Sequence, residues 1–360
     1  GLGDVYKRQD RKLVEIVKAT YFNPKIVVID ETTTALSQEG REELYKHMER
    51  IRKSGNTVIF ISHDLPEIIE KSDTITILRD GVYIDTVKSK DVNENDLKKL
   101  MVGREVTGDY YRSDYGEKVS DEVVLSVKDV TVPGLIENVS FDLHKGEILG
   151  FGGLSESGMH EIGKAIFGAS YDREGTVELA DGTQINDIPT AIKHSIAYTS
   201  KDRDNESVVL NQSIGDNICL PSLDELSGPA HLISDKKKKD FANKFAKQMS
   251  VKMVDVNQFV SNLSGGNKQK VVLARWIGKD SDIVVLDSPT RGIDIKVKQD
   301  IYQLMNQMRK NGKSIIMISE ELMELIGMCD RIMIMKDGKI SGELERDQNL
   351  DENGLITMMV

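Results

Sequence analysis

Residues 150 to 168 read GFGGLSESGMHEIGKAIFG, a run whose glycine spacing suggests phosphate chemistry. Gly153 and Gly158 stand at the spacing of G-x-x-x-x-G-K-[ST], a loop whose backbone N–H groups cradle phosphates. The strand-like run Glu147 to Phe151 precedes it and a helix-like run follows. The chemistry is incomplete. Met159 stands where the pattern needs lysine, His160 where it needs Ser or Thr, and Glu156 puts a carboxylate where a phosphate should rest. On these residues alone the loop is either a coincidence of glycines or a nucleotide site that kept its shape and lost its chemistry.

A second run, LSGGNKQK at 263–270, sets Gly265 and Gly266 before the helix-like VVLARWI. Backbone N–H groups at the positive end of a helix dipole suit a phosphate, and Ser264 adds a hydroxyl donor. The alternative is a Gly-rich turn capped by Ser264. The strand-like IVVLDSPT begins 13 residues after Lys270 and carries Asp287. Loop, glycine-headed helix and acidic strand end together favour the phosphate reading.

The elements that must hold these residues occur twice. IVVIDETTTALS (26–37) matches IVVLDSPTRGID (283–294) at an offset of 257, and the register holds without a gap from about residue 13 to 85. Tyr45 falls on Tyr302, Gly55 on Gly312, Ile61-Ser62 on Ile318-Ser319, Asp73 on Asp330 and Asp80-Gly81 on Asp337-Gly338. In each copy a β-branched run ends in an acid (Asp30; Asp287) and an amphipathic helix follows, with Leu44, Met48 and Ile51 or Ile301, Leu304, Met305 and Met308 at helical spacing. Strand–helix–strand alternation implies an α/β fold with a parallel sheet covered by helices. Met305, Met317 and Met333 then read as core. Residues 10–105 are the C-terminal part of a first domain, 106–122 a polar linker without periodicity, and 123–360 a whole second domain. Lys236–Lys239 read as a solvated helix face.

The net charge of −11 argues against a nucleic-acid binder. Cys219 and Cys329, far apart and without a metal-ligand pattern, read as buried free thiols. No apolar run approaches the roughly 18 residues of a membrane span, so membrane work would need a partner.

The order of phosphate loop, LSGGNKQ, acidic strand end and a later switch position resembles the nucleotide-binding domains of ABC transporters, from Asp10 onward. The segments KGEILGFGGLSESGMHEI, AYTSKDRDNESVVL (197–210) and PTRGID (289–294) further resemble ATPase subunits of bacterial sugar importers of the ribose, galactose and xylose class. The resemblance implies tandem P-loop NTPase domains of ABC type. Each would have a central, mostly parallel sheet, an antiparallel β subdomain and a helical subdomain. It implies two ATP sites, each built from the loop and acidic strand of one domain and the signature of the other.

By the same resemblance ATP and Mg²⁺ are the ligands. Asp30 helps hold Mg²⁺, Glu31 polarises the attacking water, and His63 in ISHDL contacts the γ-phosphate. Ser264, Gly265, Gly266 and Gln269 of the signature serve that site, while Gly153, Gly158 and Asp287 belong to a degenerate one. The offset partners of Glu31 and His63 are Ser288 and Glu320: serine is no base near neutral pH, and Glu320 would repel phosphate. A close Glu156–phosphate pair would add repulsion of about 4 kcal/mol at an effective dielectric of about 20. The departures at Met159, Glu156, Ser288 and Glu320 all fall on one site, which predicts asymmetric turnover.

The implied function is ATP hydrolysis driving monosaccharide uptake. The partners would be transmembrane permease subunits and, through them, an extracytoplasmic sugar-binding protein, with the chain peripheral on the cytoplasmic face of the membrane. Tyr198–Arg203 is the candidate coupling surface. Two rivals are a soluble twin-domain ABC protein acting on ribosomes, which would keep both phosphate loops and a basic linker, and a non-catalytic nucleotide-binding module. Subtracting 257 places the first signature at residues 6–12, YKRQDRK, where the glycines are missing. Gly1–Gln9 is therefore expected to be a non-native scar, with the first phosphate loop outside these residues and this fragment alone without useful ATPase activity.

Overall fold

The β-branched runs before each acidic residue form strands because their side chains fill a pleated, buried surface. The computed structural model describes residues 8–22, 24–30, 32–36, 38–62, 64–79, 82–102, 110–114, 118–154, 156–228, 232–293, 295–347 and 350–359. The chain divides into two units, 1–108 with 294–296, and 109–293 with 297–360.

The first unit runs α1 (Arg8–Thr20), β1 (Ile26–Asp30), α2 (Gln38–Lys53), β2 (Thr57–Ile61), α3 (Leu65–Lys71), β3 (Thr74–Arg79), β4 (Val82–Lys88) and α4 (Glu94–Val102). β1 and β2 pair in parallel, Ile26 opposite Thr57 through Asp30 opposite Ile61, and β3 and β4 form an antiparallel hairpin.

The second unit opens with β5 (Val123–Val132), β6 (Ile136–His144), β7 (Ile148–Gly153), α5 (Met159–Ile166), β8 (Glu174–Leu179), α6 (Ile188–Lys193) and β9 (Ile196–Thr199). Then come α7 (Ile214–Cys219), α8 (Leu223–Leu226), α9 (Asp235–Gln248), α10 (Gly265–Lys279), β10 (Ile283–Asp287) and α11 (Ile295–Lys310). It closes with β11 (Ser314–Ile318), α12 (Leu322–Met328), β12 (Arg331–Lys336), β13 (Lys339–Glu345) and α13 (Glu352–Met359). A six-stranded sheet has the order β13-β12-β7-β11-β10-β9, parallel except at β12–β13. A three-stranded antiparallel sheet, β6-β5-β8, stands beside it, and α7 and α9 pack on α10 as a helical subdomain. These are the three parts the resemblance implied.

The repeat is carried residue for residue. β10 pairs β11 from Ile283–Ser314 to Asp287–Ile318, the β1–β2 register shifted by 257. α11 and α12 keep the bounds of α2 and α3 under the same shift, and the hairpins share even their register break, at Ile77/Leu78 and Ile334/Met335. The repeat extends past residue 85, since α4 and α13 also correspond.

Burial differs between the copies. Ile26, Val28, Ile59 and Ile61 are 45–59% exposed, whereas their partners Ile283, Val285, Ile316 and Ile318 are fully covered. In the second unit α5 packs on β10 and β11, and β7 pairs with β11. No element fills those places among the described residues of the first unit. Met305, Met317 and Met333 are core, and both cysteines are buried and free, burial pushing the Cys219 thiol up to about 11.

Part of the polar stretch 106–122 is tied to the second unit. Tyr110 and Tyr111 pack on Tyr302 with ring centroids 5.4 and 5.3 Å away. Buried Arg112 bonds Asp330 at 2.7 Å, Asp114 at 2.9 Å and the Met328 carbonyl at 2.8 Å. A polar composition without periodicity concealed these contacts, because they are made to distant elements.

Candidate functional site

Gly153, Ser157 and Gly158, described on either side of residue 155, stand at the turn from β7 into α5. The chain enters α5 through Gly158, whose φ of 90° lies in the left-handed region. A Cβ there would meet the Leu135 carbonyl at 2.5 Å, and one on Gly153 would meet Ser157 Oγ at 2.3 Å. Both glycines are thus required by close approach, whatever the loop holds. Met159 is fully buried among core residues. Glu156 is exposed, so its carboxylate is solvated and the repulsion estimated for a close pair falls toward the roughly 1 kcal/mol of bulk water.

Four charged or titratable groups meet beside this loop. His160 Nδ1 lies 2.7 Å from Asp287 Oδ1, and Ser288 Oγ donates to the same oxygen at 3.2 Å. Lys201 Nζ lies 3.0 Å from His160 Nε2 and 2.7 Å from Glu320 Oε1. Burial works against a charge on His160, but the bonds to Asp287 and Glu320 outweigh it and raise its pKa above the ordinary value. Glu320, expected to repel phosphate, is ion-paired with Lys201 at 2.7 Å. Lys201 was read only as part of the coupling stretch, because it lies 41 residues from His160 in sequence.

The signature forms the N-terminus of α10. Ser264 sits at the cap position, but its hydroxyl accepts no bond from the helix backbone. It accepts instead from the Asn267 side chain at 2.9 Å. The alternative of a Ser-capped turn is therefore corrected. Gly265 and Gly266 are half-buried and Ser264 is exposed, so the first-turn N–H groups lie at the surface. Gln269 is buried, its Oε1 3.5 Å from Arg203 Nη1. Arg8, the offset partner of Gly265, begins α1, so the helix recurs in the first copy while the glycines do not.

Asp30 ends β1 at the exposed carboxyl edge of a parallel pair. Glu31 and His63 lie outside the described residues, and so do Gly1–Lys7 of the expected scar. The residues flanking both candidates are described, and they converge on one carboxylate. Buried Glu67 accepts from Thr33 Oγ1 at 3.1 Å, from Ser62 Oγ at 2.8 Å and from the Tyr45 hydroxyl. Glu324, 257 residues later, accepts from Thr290 at 2.5 Å, Ser319 at 2.8 Å and Tyr302 at 2.5 Å. In each unit one buried acid ties the turn after the acidic strand to the turn after the next strand. Sequence reasoning missed Glu67 and Glu324, although the offset already aligned Tyr45 with Tyr302 and Ser62 with Ser319.

The expected coupling surface needs revision. Thr199 and Ser200 are buried, and Tyr198 to Arg203 are at most half-exposed. The exposed part is Asp204–Glu206. This stretch is joined to the signature helix: Arg275 of α10 donates to the Ser207 carbonyl at 2.7 Å and to the Asn217 carbonyl at 2.7 Å. Burial without a carboxylate partner pushes its pKa down to about 10.

A family model described as ABC transporter matches residues 136–291. The chain is 38% identical over 344 residues to the ribose import ATP-binding protein RbsA of Clostridium tetani, covering 95% of this chain and 68% of that protein. It is 43% identical over 347 residues to the xylose import ATP-binding protein XylG of Thermoanaerobacter pseudethanolicus, covering 94% and 68%. The dimeric MJ0796 ABC transporter cassette superposes with a TM-score of 0.55 at 22% identity, covering 62% of this chain and 99% of that one, a likeness of fold.

Proposed function

The chain belongs to the family of ABC-transporter sugar-import ATP-binding proteins, and from that premise we propose how its residues divide the work. It is an ATP-binding, ATP-hydrolysing subunit of a sugar importer. Water attacks the γ-phosphorus, the bond to the β–γ bridging oxygen breaks, ADP leaves, and the proton of the water passes to Glu31. His63 contacts the γ-phosphate. Ser264, the first-turn N–H groups at Gly265 and Gly266, and Gln269 are the groups assigned to stabilise its developing charge. Asp30 offers a hard, exposed carboxylate at the carboxyl end of a parallel strand, which suits Mg²⁺. Held there, Mg²⁺ would supply positive charge against the phosphate oxygens.

The observation that carries this reading is the uncapped N-terminus of α10. Among the described residues the Ser264 side chain takes no bond from the first-turn donors of this helix, while the stretch 153–158 of the same copy lacks lysine. Glu67 acts as a positioning residue behind Glu31 and His63. Permease subunits are the partners that bring the chain to the cytoplasmic face of the membrane, with a sugar-binding protein acting through them. Among the described residues no helix is long and apolar enough to cross a membrane itself. Asp204–Glu206, exposed and tied through Arg275 to α10, are the side chains proposed to meet the permease.

Membrane vesicles holding the permease and the full gene product test this. Accumulation of labelled ribose or xylose should require ATP. With Glu31→Gln it should fall by about 10²-fold or more, the scale of a lost general base. Accumulation of neither sugar, or accumulation indifferent to this protein, contradicts the proposal.

A further inference from the structure

The second copy's loop departs from a metal-dependent phosphate site in one consistent direction. In G-x-x-x-x-G-K-[ST] the lysine reaches phosphate and the hydroxyl binds Mg²⁺. Here the first position is buried Met159, and the second is His160, a nitrogen ligand poorly suited to Mg²⁺. The acid that should help is already engaged, because Asp287 Oδ1 accepts from both His160 Nδ1 and Ser288 Oγ. Among the described residues no group of three His, Cys, Asp or Glu side chains is arranged to hold a metal ion. The residues of this site do not fit Mg²⁺.

They do fit an anion. Lys201 brings an ammonium group to the mouth of the loop, 3.0 Å from His160 Nε2. Of its three donors, the contacts to His160 and Glu320 use two. Ser157 lies against Gly153, only 4% exposed, and its Oγ has no hydrogen-bond partner among the described residues. A buried hydroxyl without a partner calls for an explanation, and a bound oxygen is one. The first-turn N–H groups of α5 add donors at the positive end of the helix.

We propose that Ser157, Lys201 and the first turn of α5 form a metal-independent site for the polyphosphate of a nucleoside triphosphate. Lys201 replaces the missing loop lysine, the His160 N–H occupies Asp287 where a metal would otherwise be needed, and Ser157 Oγ donates to a phosphate oxygen. This goes beyond the catalytic reading, which concerns Asp30, Glu31 and the signature, and it stands or falls separately.

The test is equilibrium binding of ATP to the 360-residue chain, once with excess EDTA and once with excess Mg²⁺. The dissociation constants should agree within about threefold, because no metal contact is gained. Lys201→Glu should weaken binding in EDTA by about tenfold or more, the scale of a lost charge-assisted bond. His160→Ser, which restores a hydroxyl and frees Asp287, should make binding respond to Mg²⁺ by about fivefold or more. Should Lys201→Glu fail to fold, Lys201→Gln serves, with a loss of about threefold or more expected. Absence of ATP binding in EDTA, binding that needs Mg²⁺, or unchanged affinity in the Lys201 variant overturns the proposal. None of these bears on turnover at the other site, so failure here leaves the function above untouched.

Discussion

Arg112 is the residue whose loss the second unit should feel most. It is 4% exposed and answers both Asp114 and Asp330, with Arg309 also near these acids. Removing one partner of a buried ion pair leaves the other's charge uncompensated and costs about 3 to 5 kcal/mol. Arg112→Ala should therefore lower the unfolding free energy of the second unit by that scale in a chemical melt, and a loss under about 1 kcal/mol would show the cluster to be solvated. His160 gives a signed pH effect. Its folded pKa lies above the ordinary 6.5, with Asp287 and Glu320 favouring the charge while burial and Lys201 oppose it. The pair's contribution is therefore whole below about 6.5 and is lost as pH rises through the higher folded value. Melting temperature should decline across that window, and the decline should shrink in His160→Gln. Equal pH profiles for the two proteins would remove His160 from this role. Neither cluster was legible in the sequence, because Arg112 sits in a stretch without periodicity and finds partners about 200 residues on.

Helix α10 shows what patterns reveal about elements and what they leave out. Glycines before an apolar run announced a helix with a phosphate-friendly start, and the helix begins at Gly265. What Ser264 does there depended on the rotamer, which no pattern encodes. Its hydroxyl turns to Asn267 and not to the backbone, so the usual capping energy is absent. Ser264→Ala should leave the melting transition within about 0.5 kcal/mol, against the roughly 1 kcal/mol typical of a true cap. It should still lower ATP turnover by the full gene product several-fold. A destabilisation of about 1 kcal/mol with unchanged turnover would restore Ser264 to a capping role. The strands were the most legible elements, since the 257-residue offset carried their register without help from contacts. Glu67 and Glu324 were not, because a glutamate in a short helix looks like surface until Tyr45 and Tyr302 are seen to reach it.

The two units share a plan but not a degree of burial. The second encloses its parallel strands completely, while β1 and β2 of the first leave alternate apolar residues open. Backbone amides of β10 and β11 should accordingly exchange far more slowly than those of β1 and β2 in this chain, and equal protection would contradict the burial difference. The repeat was legible because local propensity and spacing survived duplication. The asymmetry was legible only as lost motif letters, and its physical content, the His160–Lys201–Glu320–Asp287 cluster, emerged from tertiary contacts. The central claim is that hydrolysis belongs to the acids of the first copy and not to their partners in the second. Steady-state ATP hydrolysis by the full gene product, measured for Glu31→Gln beside Ser288→Ala, tests it most directly. The account predicts that Glu31→Gln lowers kcat by about 10²-fold or more while Ser288→Ala stays within about twofold. Turnover that survives Glu31→Gln, or collapses in Ser288→Ala, would contradict it.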